Sequence, residues 1–210
     1  MRKVQDYYFK KAKKEKYPAR SVFKLEEVQK KYRLFRRGDA VLDLGCHPGS
    51  WSLYASAVVG PSGAVVGVDL QETSREPRDG GSPIYWICED ITEPDLIARV
   101  RRIRPGYKTV ISDIAPQTTG NRWADHQQSM RLVRKSLEIA EILLHDKGNF
   151  LCKIFQGEDM PEFIDELKQR FAFVKVIKPQ SSRKESREVF ALGMEYKKTP
   201  HQHEEMRDLS

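Results

Sequence analysis

Apolar runs that stop at a polar residue alternate along this chain with stretches whose apolar positions return every three or four residues. The first kind reads as strands buried on both faces, the second as amphipathic helices. Strands are expected at roughly 40–45, 64–69, 84–89, 109–113, 149–155 and 173–178, with a seventh from near Arg187 through Leu192. Helices fill the gaps. One opens at Pro18, a residue suited to a first helical turn, carries Val22, Leu25, Val28 and Tyr32 on one face and ends before Gly38. Another starts at Ser50 with Trp51, Leu53, Tyr54 and Val58; a short one covers roughly 94–104, and one spans about 160–171. The longest, about 125–146, puts Met130, Val133, Leu137, Ala140, Ile142 and Leu144 on its apolar side and Gly148 at its C-cap. Residues 71–83 are polar, contain Gly80, Gly81 and two prolines, and predict a loop over the strand ends. Strands alternating with helices predict an α/β fold with a mostly parallel sheet and a ligand at the carboxyl ends of its strands.

The turn after the first strand reads Asp43-Leu44-Gly45-Cys46-His47-Pro48-Gly49-Ser50-Trp51. A dinucleotide fingerprint needs G-x-G-x-x-G, whose second glycine lets the backbone approach a pyrophosphate. Here the glycines stand at 45 and 49, and Pro48 offers no N–H to a phosphate. Such a loop suits an adenosine ligand without phosphate, for which S-adenosylmethionine is the candidate. Asp69 closes the second strand, where an acid holds a ribose diol. Asp90 closes the third, placed to accept from an adenine amino group. Strand ends are also solvated, so either acid alone is equally well read as surface; the loop and both acids in order favour the ligand.

Charge narrows the partner. The chain carries +7, yet residues 1–37 hold 14 Lys/Arg against 4 Asp/Glu, a net of +10, so the remainder sums to −3. Concentrated basicity is the footprint of a polyanion partner. Lys10, Lys11, Lys13, Lys14, Lys16 and Arg20 are interleaved with Tyr7, Tyr8, Phe9 and Tyr17, and cations with rings suit phosphates and unpaired bases of RNA. The bland alternative is a solvated basic helix face. Cys46, Cys88 and Cys152 lack C-x-x-C spacing and read as reduced core thiols of a cytoplasmic protein, with no metal expected. The N-terminus lacks a signal-peptide pattern and no run is long enough for a membrane span. His201 and His203 lie in a polar tail, for which disorder is expected over metal binding.

Two polar residues stand where a parallel strand is normally apolar: Asp113 at the end of the fourth and Lys153 inside the fifth. A buried ammonium is costly and needs a partner or a task. An antiparallel seventh strand would bring Glu188 to the same edge. Lys24, on the first helix, belongs to a different face in a linear reading.

These residues carry a resemblance. Ala19-Arg20-Ser21-Val22-Phe23-Lys24-Leu25, the Asp43–Trp51 loop, Ser112-Asp113-Ile114-Ala115-Pro116, Lys153-Ile154-Phe155-Gln156-Gly157 and Ser181-Ser182-Arg183 with Ser186-Arg187-Glu188-Val189 resemble the FtsJ group of S-adenosylmethionine-dependent RNA 2′-O-ribose methyltransferases, from about Tyr17 to Tyr196. The resemblance implies a Rossmann-like methyltransferase fold with an antiparallel last strand. It also implies a catalytic tetrad of Lys24, Asp113, Lys153 and Glu188, with cofactor contacts from Gly49, Trp51, Asp69, Asp90 and Asp113 beside the loop's Gly45. Cys46-His47 departs from the family's two small residues at that place.

A ribose hydroxyl is a poor nucleophile, so positioning it for in-line attack supplies much of the rate. Lys153 is expected to orient the hydroxyl and take its proton when neutral, with Asp113 and Glu188 fixing its head group. The partner expected is ribosomal RNA of the large subunit or the subunit itself, held by residues 1–37 and by Arg183, Lys184 and Arg187 near Glu188, with 38–198 as the methyltransferase domain and 199–210 as tail. No obligate protein partner is implied. Transfer RNA is the alternative substrate. A non-catalytic RNA-binding or ribosome-assembly factor on the same fold is the alternative of another class, and a small-molecule methyltransferase is disfavoured by the basic segment. An intact tetrad and cofactor loop argue for the enzyme.

Overall fold

In the computed structural model, residues 2–116, 120–182 and 185–198 are described. The order is α1 (Arg2–Lys14), α2 (Val22–Tyr32), β1 (Ala40–Leu44), α3 (Ser50–Val59), β2 (Ala64–Asp69), β3 (Ile84–Cys88), α4 (Leu96–Ile103), β4 (Tyr107–Ser112), α5 (Arg122–Leu143), β5 (Leu144–Phe155), α6 (Met160–Arg170), β6 (Phe171–Ile177) and β7 (Glu188–Tyr196). Seven strands form one sheet in the order β3-β2-β1-β4-β5-β7-β6. The pairings among β1 to β5 are parallel, and β7 runs antiparallel to both β5 and β6.

The period-two alternation of strand residues divides the core. Leu42, Val66, Val110, Phe150, Cys152 and Ala191 face α4, α5 and α6. Val41, Val65, Ile111, Leu151, Phe190 and Leu192 face α2 and α3. Parity therefore assigns Asp43, Lys153 and Glu188 to the α2–α3 side, because each alternates with a residue of the first set. The N-terminal segment shares this core. Leu25, Val28, Leu34 and Phe35 are buried in it, and the Leu34 carbonyl accepts from Thr109 Oγ1 and Asn149 Nδ2, both at 2.7 Å.

Several boundaries differ from those expected. The basic segment before Pro18 is itself a helix, α1, anchored through Ala12 on Val22 and Phe23. Pro18 lies outside α2, which starts at Val22 and stops at Arg33, a left-handed C-cap whose N–H bonds Gln29 O. Gln29 then fixes the exit, its Nε2 donating to the Phe35 carbonyl at 2.7 Å. Helix α5 ends at Leu143, so Gly148 is not its C-cap: Leu144 pairs with Tyr107, the register shifts before Thr109 meets Asn149, and the extra residues of β5 bulge out. Gly148 sits in that bulge because a Cβ there would lie 2.9 Å from the His145 carbonyl oxygen. Ile142 is exposed, on the outer side of the last helical turn. Cys46 and Cys152 are buried as expected, but Cys88 is exposed, since β3 is an edge strand.

Candidate active site

Everything notable gathers at the carboxyl edge of the sheet. After β1 the chain turns through Gly45 at φ 76° and Gly49 at φ 99°, the latter the N-cap of α3. Left-handed φ suits glycine, and at Gly45 space demands it too, because a Cβ would stand 2.5 Å from Ile114 Cγ1. Gly45→Ala is accordingly expected to cost about 2 kcal/mol or more, from strain and overpacking together; urea unfolding midpoints at unchanged slope measure it.

Under this loop lies Asp43, fully buried. Ser52 donates to its Oδ2 at 2.6 Å, while Oδ1 has no partner. Burial pushes the carboxyl up to about 7, the Ser52 hydrogen bond opposes this, and repulsion from Asp113 and Asp69 adds to it. Asp69, closing β2, accepts from His47 N at 2.9 Å and Gln71 N at 2.8 Å. Each carboxylate oxygen keeps a second lone pair, so the acid can still accept a diol. Asp90 accepts from Thr92 N and Oγ1 through a single oxygen, Oδ1. The Trp51 side chain is buried against Phe190 and donates to Ser21 O at 3.0 Å, which leaves only its backbone for a ligand. His47 Nδ1 lies 3.2 Å from Thr73 Oγ1, bracing the 71–83 loop against the turn.

Beside the loop stand four charges. Lys153, 7% exposed, donates from Nζ to the Asp113 carbonyl oxygen at 2.5 Å and lies 3.0 Å from Asp113 Oδ1. Lys24 bonds Glu188 Oε2 at 3.0 Å and stands 5.7 Å from the Phe190 ring. Register explains the grouping: Lys153 pairs with Phe190 and Phe155 with Glu188 across the antiparallel β5–β7 ladder. Burial pushes the Glu188 carboxyl up, but the Lys24 ammonium, helped by Lys153, outweighs it and holds the carboxyl below its ordinary range. An acid lowered in the folded state stabilises above its unfolded value, and that stability is lost as pH falls through the lowered one. Lys24→Met should therefore raise the Glu188 titration midpoint, followed by carboxyl NMR. Its stability deficit, full near neutral pH, should close below about pH 4 in urea unfolding series. Among the described residues no cluster of His, Cys, Asp and Glu could hold a metal ion.

The FtsJ-like methyltransferase family profile matches residues 17–196, which includes the loop, Asp69, Asp90 and all four charged residues. The chain belongs to this family. Its relatives include ribosomal RNA large subunit methyltransferase E of Desulfotalea psychrophila, 62% identical over 198 residues (94% of this chain, 98% of the relative). The protein of the same name from Desulfosudis oleivorans is 43% identical over 201 residues, 95% of each chain. A crystal structure described as a ribosomal RNA methyltransferase from Plasmodium falciparum superposes with a TM-score of 0.74 at 23% identity, covering 86% of this chain and 98% of that one, which shows the shared fold.

In this FtsJ-like chain the basic residues of α1 separate into two groups. Lys10, Lys13 and Lys14 are exposed beside the exposed rings of Tyr7 and Phe9. Lys11 is instead turned inward, 3.5 Å from Glu26 Oε2 and 4.2 Å from the Phe23 ring centroid, so it joins α1 to α2. Lys16 is exposed and Arg20 half-buried. Arg78 of the 71–83 loop stacks on Tyr17 at 3.9 Å and donates to the Glu15 carbonyl, tying α1 to that loop. Arg183, Lys184 and the 199–210 tail lie outside the described residues. Spacing alone left Lys24 outside the site, where only the family resemblance put it, and Asp43 was given no role. Lys24 shows no local signal in the chain, whereas an acid at the fourth of five positions in a buried strand, Asp43, was a signal that could have been used.

Proposed function

We propose that this chain transfers a methyl group from S-adenosylmethionine to a ribose 2′-hydroxyl of large-subunit ribosomal RNA. The observation that carries this is the pairing of Lys153 with Asp113 and of Lys24 with Glu188, beside a glycine loop whose Pro48 offers no N–H to a phosphate. The residues fit the cofactor: unpartnered Asp43 Oδ1 suits its cationic end, Asp69 the ribose diol, Asp90 the adenine amino group, and the Gly49 and Trp51 backbones close approach. When bound, the cofactor supplies an electrophilic methyl group on a sulfonium.

The chain's own residues do the rest. Lys153, fixed by two oxygens of Asp113, orients the incoming hydroxyl and accepts its proton at Nζ when that amine is neutral. Glu188, held ionised by its ion pair with Lys24, offsets the positive charge beside Lys153 without touching it. Positioning of this kind is worth several orders of magnitude in rate. Residues 1–37 hold RNA through Lys10, Lys13, Lys14, Lys16 and Arg20, with Tyr7 and Phe9 available to bases, and Arg183 and Lys184 add phosphate contacts. Residues 38–198 form the methyltransferase domain. The site of action is the cytoplasm; among the described residues no helix is long and apolar enough to cross a membrane.

The test is transfer of labelled methyl to purified large ribosomal subunits, to their naked RNA and to transfer RNA. Label in an alkali-resistant dinucleotide from large-subunit RNA is the expected result. Label only in transfer RNA redirects the substrate assignment. RNA binding with no transfer to any of them favours the assembly-factor reading.

A further inference from the structure

The family's catalytic residues sit on the α2–α3 side of the sheet edge, yet the most exposed large apolar side chain among the described residues is on the other side. Trp123, in the first turn of α5, is 73% exposed. Its backbone is firmly held: Asn121 Oδ1 caps the helix by accepting from Trp123 N and Ala124 N at 3.1 and 3.2 Å. One turn on, His126 Nε2 meets Asp159 Oδ2 at 2.7 Å, and its ring packs so closely on Gly157 that a Cβ there would lie 2.6 Å away. Gly157 follows Gln156, whose N–H bonds the Arg187 carbonyl, next to Glu188. A continuous chain of contacts thus fixes the indole's helix to the rim of the candidate active site.

Trp123 also heads a stripe. Trp123, Gln127, Met130 and Arg134 follow steps of four, three and four residues, one helix face. Below the indole this face borders a cleft of about 500 Å³ closed on its far side by Thr92, beside Asp90. Its cations differ in availability. Arg134 is held by Glu162 and Glu166 and Lys135 by Glu138, while Arg131 is exposed with no ion partner among the described residues. A rigidly based, solvent-exposed indole above a cleft with an available guanidinium matches one ligand chemistry: an unpaired base for the ring and its phosphate for the cation.

The geometry points to a single-stranded RNA subsite on α5, in which Trp123 stacks a base flanking the target nucleotide and Arg131 holds an adjacent phosphate. This rests on the RNA methyltransferase reading and extends it, since α1 and α5 lie on opposite sides of the sheet and the RNA then straddles the edge between them.

The test uses the full chain, with a mixed-sequence single-stranded 12-mer RNA as probe and the same sequence as a duplex for comparison. Trp123→Ala should weaken single-strand binding roughly tenfold and Trp123→Phe should retain most of it, as stacking requires. Arg131→Gln should weaken binding and reduce the salt slope by about one ion. Indole fluorescence of the wild type should fall on binding the single strand, and that change should be missing in Trp123→Phe. Unaltered single-strand affinity in Trp123→Ala overturns the subsite. So does equal weakening toward single strand and duplex, or an affinity loss in Trp123→Ala accompanied by an equal loss in Trp123→Phe. Binding that depends on Trp123 in a protein that transfers no methyl overturns the methylation reading instead and leaves the subsite standing.

Discussion

Lys153→Ala is expected to lower the rate of methyl transfer by roughly a thousandfold, the scale of a positioned proton acceptor that also orients the nucleophile. RNA affinity should stay close to wild type, because the lysine head group faces Asp113 rather than α1. The loss therefore falls on kcat, and single-turnover transfer with both ligands saturating measures it. Lys153→Arg is the informative companion. It keeps the positive charge, but a planar guanidinium that stays protonated can neither take a proton nor match a compact ammonium seated 2.5 Å from a carbonyl oxygen. If Lys153→Arg is as inactive as Lys153→Ala, charge alone is not the contribution. A wild-type rate that climbs from neutral to alkaline pH supports proton removal by the amine, and a flat profile leaves Lys153 an orienting group only. Full activity in Lys153→Ala refutes the assignment.

The second large effect has opposite signs in two assays. Asp43→Asn should stabilise the ligand-free protein on the order of 3 kcal/mol near pH 8. Burial has raised its carboxyl to about 7, so the folded chain holds a proton there that the unfolded chain gives up at lower pH. Between about pH 4 and pH 7 the folded state thus binds more protons, and stability falls as pH rises. Asparagine has no such titration, so the variant's advantage should be small in acid and grow toward neutrality. Thermal or urea unfolding across that range shows it. The same substitution should weaken S-adenosylmethionine binding roughly tenfold or more, since it removes the anion proposed to face a cationic group; calorimetry checks this. A stabilised variant with undiminished cofactor affinity bears out the cost of burial and refutes the ligand role. A stability cost kept for function is the pattern expected of a buried charge with one oxygen unpartnered.

Much of this was readable in the order of residues. Runs such as Ala40–Leu44 and Ala64–Asp69 need both faces buried, which only an internal sheet provides, and the glycine turn followed by two strand-end acids marked the ligand side. Lys153 announced itself because an ammonium inside an apolar run has few cheap explanations. Boundaries were less legible. The pattern through Leu144 to Phe150 stays compatible with a helix end until Tyr107 is known to pair with Leu144. In α1, the apolar face is too short to register as a helix until Val22 and Phe23 arrive to cover Ala12.

What the sequence determined by itself is therefore the alternation of elements, the edge on which chemistry would sit and the types of residue there, because these follow from local periodicity and from the cost of placing a charge in a strand. Only the tertiary structure decided which charges meet. Lys24 and Glu188 are separated by 164 positions and form a 3.0 Å pair because β7 runs antiparallel beside β5 while α2 packs on the same face. It also decided that Lys11 braces two helices while Lys10, Lys13 and Lys14 face solvent, and that Trp123 stands uncovered above a cleft. Such facts depend on which surfaces remain after the core has closed, and no residue's immediate neighbours in the chain encode that.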